Sequence, residues 1–263
     1  MTSLGDDTDL TKSDLTPHAD LGGANLSGFN LRGIDLTGAD LSNADLSECD
    51  LSGGQFDRVD FSGAKLVEST LGGGSFVNAT FVNADLTRID AYHDVETTDF
   101  YGADFTTSSL QNANLIHSSL INIDAEAADF SGSCLSFTDC RGANFLNADL
   151  SNIKCLHGTL SNATLREVTM ANSYMAYSTF DHSDLSAADC MDCDLRGADL
   201  SHADLMETDL SESDLSETTL GHVTLDGAKL TDAYFSGCDF EHATMEDESV
   251  DTEVIERSGG RLD

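Results

Sequence analysis

The chain has 263 residues, 48 acidic against 12 basic, for a formal net charge of −36. That balance excludes direct binding of nucleic acid, whose phosphates would repel it, and no apolar run reaches the ~18 residues of a membrane-spanning helix. The seven cysteines form an odd set and read as reduced core filler, so a disulfide framework is not expected. The acidic start, Met1 to Lys12, lacks the apolar stretch of a secretory signal, and a cytoplasmic location is expected.

Residues 1–18 read as an imperfect lead-in. Leu10 and Leu15 are five apart, and a six-residue step containing Pro17 then leads to Leu21. Over 19–247 one beat dominates. A large apolar residue returns at nearly every fifth position through Leu21, Leu26, Leu31, Leu36 and Leu41 to Leu86, and again in a shifted phase from Phe100 to Met245. A helix of 3.6 residues per turn would smear these positions around its circumference, and a strand would alternate them between faces. Each unit must therefore contain its own corner, one short extended piece and one turn. With the large residue taken as the centre, a small residue stands two before it, as Ala39, Ala64, Ala148 and Ala198 do. Asp or Asn usually stands directly before the centre, and the two residues after it are polar or Gly. Centre and small residue are expected inside. A volume test supports this: where the centre is small, at Ala91, Ala125 and Cys155, the small site holds Ile89, Ile123 and Ile153. A close-packed interior requires such compensation and a surface does not.

The beat is interrupted between Ala91 and Phe100. Counting Val95 as a centre gives a four-residue step that shifts the later phase and puts His93 on the inward small site. Two readings follow: a local bulge with His93 turned to solvent or hydrogen-bonded, or a kink presenting Tyr92, His93 and Asp94 to a partner. Farther on, His182, His202, His222 and His242 recur every 20 residues, each two after a centre. They read as stacked surface side chains, with a weak metal-binding or pH-responsive ladder as the functional alternative. Cys190 and Cys193 have the spacing of a redox or zinc pair, but one is a centre and the other a small inward site, so core filler is expected. Asp184, Asp189, Asp194, Asp199, Asp204, Asp209 and Asp214 occupy seven successive pre-centre positions, and consecutive ones should face different sides. The acidic tail, 248–263, breaks the beat. It reads as a short capping helix with Val250, Val254 and Ile255 on one face, or as a dimer surface.

The units Ala39-Asp40-Leu41-Ser42-Asn43 and Ala198-Asp199-Leu200-Ser201-His202 follow the pattern A(D/N)LXX and resemble the pentapeptide-repeat family. The resemblance implies an all-β solenoid: a right-handed quadrilateral parallel β-helix with four pentapeptides per coil. About 11 to 12 coils at strand spacing, ~4.8 Å, would make a rod of roughly 55 Å. In resembling proteins the C-terminal end is a dimerisation surface, which makes a C-terminal homodimer one reading of the tail. Some members, including quinolone-resistance proteins, resemble the shape and charge of duplex DNA and occupy the DNA-binding saddle of type II topoisomerases such as gyrase.

No nucleophile elbow, phosphate loop or zinc-protease motif is present. Carboxylate pairs would lie on a convex, wet surface. No catalytic residue and no cofactor is therefore expected. The expected function is a rigid acidic scaffold for a protein partner, with topoisomerase mimicry as the alternative and metal binding through the His ladder as a third. The low Lys and high Asp content resembles proteins of salt-accumulating halophiles, so a high-salt cytoplasm is expected.

Overall fold

The computed structural model describes residues 13–244. Each coil pairs with the next through parallel β-bridges twenty residues on: Asp20 with Asp40, Asn25 with Asp45, Asn30 with Asp50 and Asp35 with Gln55. Four ladders thus run along the molecule, one per pentapeptide, and the chain is a parallel β-helix. Among the described residues there is no α-helix.

Five residues suffice for a repeat because every amide finds an acceptor. Around Leu41, the amides of Leu41 and Asn43 donate to the carbonyls of Asp60 and Ser62 in the next coil. Ala44 donates to Leu41 within its own turn, and Asp45 donates back to Ala24. Only Ser42 is left over, and its amide donates to the Asp40 carboxylate at 2.8 Å. This Asx turn recurs along the chain, as at Asp45–Ser47 and Asp199–Ser201, both 3.0 Å. It is the physical reason that Asp or Asn precedes the centre. The second residue after the centre turns the corner in a left-handed conformation, with φ 58° at Asn43 and 68° at Gly38. That accounts for the Gly and Asn found there.

The interior is a stack of matched layers. Leu26, Leu36, Leu41 and Leu46 are fully buried, each contributing roughly 1.5–3 kcal/mol. Phe56, Phe76 and Phe100 stack in one column, with ring centroids 4.9 and 5.1 Å apart. Phe61, Phe81 and Phe105 form another, at 4.8 Å for both steps. The exchanged pairs Ile89 with Ala91, Ile123 with Ala125, and Ile153 with Cys155 are all buried, so large and small have traded places inside one envelope. Several inward Ser, Thr and Cys donate to a carbonyl of the coil below, Ser69 to Leu46, Thr208 to Leu185 and Cys193 to Met170, while Ser108, Thr138 and Ser183 donate to the centre of their own turn. A buried hydroxyl or thiol is tolerated there because it is hydrogen-bonded.

The interruption differs from the four-residue step read from spacing. Val95 is no centre: it is 86% exposed. Ser75 pairs with Asp99 and Asp90 with Asn114, twenty-four residues on, before Asp99 and Ser119 restore twenty. This coil has gained four residues instead of losing one, and 92–97 leave it as a surface loop. The phenylalanine columns cross the insertion unbroken, through Phe76–Phe100 and Phe81–Phe105. At the other end a regular unit already spans Thr16 to Asp20, with the His18 amide bonded to Thr37 and Ala19 to Thr16. The extra residue of the Leu15–Leu21 step therefore precedes Thr16, and Leu15 is buried. Leu10, Met245 and the tail residues Val250, Val254 and Ile255, with the expected capping helix or dimer surface, lie outside the described residues.

Candidate partner-binding surface

The inserted loop is held at both ends. The Thr98 hydroxyl donates to the Ala91 carbonyl at 2.5 Å and accepts from the Gly73 amide at 2.9 Å, so Thr98 fills the inward site. His93 stays outside it, half-buried, with Nδ1 accepting from the amides of Glu96 at 3.1 Å and Val95 at 3.4 Å. His93 therefore sits in a hydrogen-bonded bulge outside the inward site. The loop folds back over the preceding coil. A Cβ at Gly72 would lie 2.5 Å from the Tyr92 carbonyl oxygen, so this close approach requires glycine. The Tyr92 hydroxyl donates to Asp94 at 2.5 Å, and that bond, with the carboxylate charge, raises the Tyr92 hydroxyl above the usual phenol range.

Beside the loop runs a column of rings that spacing alone had not revealed. Tyr92, His117, Phe137, His157 and Tyr177 follow one another with centroid separations of 6.3, 5.0, 5.3 and 5.3 Å. His117, Phe137, His157 and Tyr177 each stand two after a centre, at the left-handed corner position, φ 54–61°. The column ends where the Tyr177 ring lies over Gly197, 2.7 Å from the place a Cβ would take. The signal was available for His117, Phe137, His157 and Tyr177, which recur every twenty. They differ in type, and a search for one repeated residue passes over them.

His182, His202 and His222 stack, and His242 follows at a tilt. Successive centroids from His182 to His242 are 4.6, 4.6 and 4.8 Å apart, with interplanar angles of 24°, 6° and 39°. Imidazole lone pairs lie in the ring plane, so stacked rings do not aim them at a common point. Among the described residues, no group of three or more His, Cys, Asp or Glu side chains is placed to hold a metal. The His182 ring lies 3.3 Å from Asp181 and the His242 ring 3.5 Å from Glu241.

The seven successive aspartates form a belt. Asp184 pairs along the rod with Asp204, Asp189 with Asp209 and Asp194 with Asp214, while Asp199 lies between Thr179 and Thr219. Two cations fit into it. Arg196 reaches Asp194 at 2.6 Å and Asp214 at 3.7 Å, and Lys229 reaches Asp209 at 3.0 Å. The Arg196 hydrogen bond lowers the Asp194 carboxyl. Burial pulls Asp209 upward, but bonds from Ser211 and Lys229 outweigh it and the net direction is down.

The cysteines behave as core. Burial pushes the Cys193 thiol up to about 12 and the Cys190 thiol well above its ordinary range, the opposite of an activated or metal-binding thiolate. Cys134, at a bridge position, is the partly exposed one. In native protein at pH 8 an aromatic disulfide reagent is expected to titrate one thiol promptly, and all seven only in denaturant. Prompt reaction of two or more native thiols would contradict the packing described.

The family profile described as Pentapeptide repeats matches in eight copies, over 18–53, 55–90, 98–136, 108–145, 126–165, 173–212, 188–227 and 208–247. The chain belongs to the pentapeptide-repeat family. Between 18 and 247 the matches leave out 54, 91–97, the segment of the inserted loop, and 166–172, which is regular coil. Among solved pentapeptide-repeat structures, the chain is similar to HetL, involved in heterocyst differentiation regulation in the cyanobacterium Nostoc sp. strain PCC 7120. Identity is 28%, coverage 85% of this chain and 92% of HetL, and the TM-score 0.46. It is also similar to QnrB1, a plasmid-mediated fluoroquinolone resistance protein, at 21% identity, 80% and 97% coverage and a TM-score of 0.40. A thylakoid-lumen member from Arabidopsis thaliana shares 26% identity over 45% of this chain and 72% of its own, with a TM-score of 0.22. A comparison with curated proteins gives no match. Among the described residues, no helix is long and apolar enough to cross a membrane.

Proposed function

We propose that this pentapeptide-repeat protein is a non-catalytic, rigid acidic scaffold that binds a protein partner, built as a right-handed four-sided coil and working in a high-salt cytoplasm. The observation that carries the reading is the fixing of charge by backbone. Aspartates such as Asp40, Asp45 and Asp199 are anchored by their own Asx turns on ladders twenty residues apart, so carboxylates project in a set pattern. A surface of preset charges favours recognition over chemistry, because its partner meets no loose side chains to order. A quantitative affinity pull-down in matched high salt tests it, with a charge-matched disordered polypeptide as control. One or a few proteins should be retained in near-stoichiometric amount, and recovery no better than the control removes the scaffold.

Mimicry of duplex DNA toward gyrase is the second reading, favoured by the net charge of −36. The side-chain columns support it less. Among the described residues, the longest unbroken column of bridge-position aspartates is Asp20, Asp40 and Asp60. A supercoiling assay in the same salt decides: no effect at micromolar protein rules mimicry out.

A further inference from the structure

We propose that the groove between the inserted loop and the aromatic corner docks a linear segment of a partner protein, one that carries Lys or Arg beside a large apolar side chain. The inference rests on the scaffold reading and names where and what the scaffold binds. The groove encloses about 480 Å³ and is open to solvent along one side. One wall is the loop, with Asp94, Val95 and Glu96; the other is the corner, with His117 and Phe137.

Two independent features point to an occupant. The first is apolar exposure on a very acidic rod. Val95 is 86% exposed and Phe137 is 50% exposed, and both line the same groove. Phe137 also adopts φ 60° at a corner position where Gly and Asn are at ease. The second is charge. No Lys or Arg lines the groove, and the ion pairs among the described residues leave Asp94 and Glu96 without a cation.

A basic side chain would pair with Asp94 and Glu96, while its apolar neighbour covers Val95 and the edge of Phe137. An acidic or purely polar segment would satisfy neither wall. The loop is short and tied down by Thr98 and His93, so the groove is preformed and costs little ordering on binding.

The test uses the full chain as bait for phage-displayed random linear peptides, counter-selected on Phe137→Asn. Asparagine suits this corner conformation, so that variant keeps its fold. Enriched peptides should place Lys or Arg within a few residues of a large aliphatic or aromatic residue. A synthetic copy of one, measured by fluorescence polarisation, should bind at least tenfold more weakly to Phe137→Asn and to the double variant Asp94→Lys/Glu96→Lys. Met206→Ser, away from the groove, should leave binding unchanged. No enrichment over the counter-selection, or peptides indifferent to both groove variants, overturns the proposal. Either result leaves the scaffold reading standing or falling on the pull-down, which does not depend on this groove.

Discussion

Leu200→Asp is expected to unfold the coils around residue 200 while leaving the N-terminal coils folded. Leu200 is 1% exposed and sits in the repeat's central column. Removing the side chain, as in Leu200→Ala, should cost about 2–5 kcal/mol. A carboxylate is worse, because an unpaired charge is then buried among apolar residues, adding several kcal/mol. A single globular core would respond by unfolding as a whole. A solenoid is quasi-one-dimensional, each coil touching only its neighbours, so the damage should be local at first. Hydrogen exchange read by mass spectrometry checks this. Amides of Leu185, Leu205 and Leu220 should lose protection, and those of Leu26, Leu46 and Phe61 should keep most of theirs. Wild-type protection around residue 200 in Leu200→Asp would mean that the centre does not face inward.

The second large effect is expected from salt. Seven bridges in the described ladders set aspartate directly against aspartate, among them Asp20–Asp40, Asp104–Asp124 and Asp184–Asp204. Two like charges at strand spacing, ~5 Å, repel by about 0.8 kcal/mol in water. Seven such pairs, together with the longer-range terms, amount to several kcal/mol, against which Arg196 and Lys229 offset only their own neighbours. Screening shortens to about 3 Å at 1 M salt, so most of this repulsion disappears below that concentration. For a chain of this size 1 kcal/mol moves the melting temperature by roughly 2–4 °C. The Tm should therefore rise by on the order of 10 °C between 0.1 and 3 M KCl, with the steeper part below about 1 M. A flat profile would show that the stacked carboxylates do not limit stability and would remove the physical ground for a high-salt habitat. A rise that stays linear to 3 M would point to general exclusion of salt from the surface instead.

Most of the architecture could be read from spacing because the interior forces it. The exchange of Ile123 with Ala125 identifies both inward positions without any coordinates, since only a closed envelope couples two volumes that way. The interruption was harder for an arithmetic reason. Phe100 stands nine positions after Ala91, and nine is four more than one repeat and one less than two. An insertion of four and a slip of one therefore shift the phase identically. Val95, apolar and near the expected place, tips a one-dimensional count toward the slip. Only the inter-coil register, Ser75 with Asp99, separates the two. The aromatic corner was hidden for a different reason: stacking depends on planar rings, and a ring can be His, Phe or Tyr. The metal-binding alternative for His182 to His242 came from residue type, whereas coordination depends on the direction of lone pairs, which spacing does not carry.

The Asx turn of each repeat uses one carboxylate oxygen of Asp as an acceptor, Asp40 Oδ1 for the Ser42 amide. Asparagine offers the same oxygen without the charge, and several units already use it, Asn30 for the Arg32 amide among them. Shape and charge are therefore separate dials on this rod. Exchange of Asp for Asn, unit by unit, can carry the chain from a highly charged polyanion toward neutrality along a path on which every intermediate still closes its turns. A lineage moving between salty and dilute environments, or an engineer doing so deliberately, could reset the surface potential without redesigning the coil.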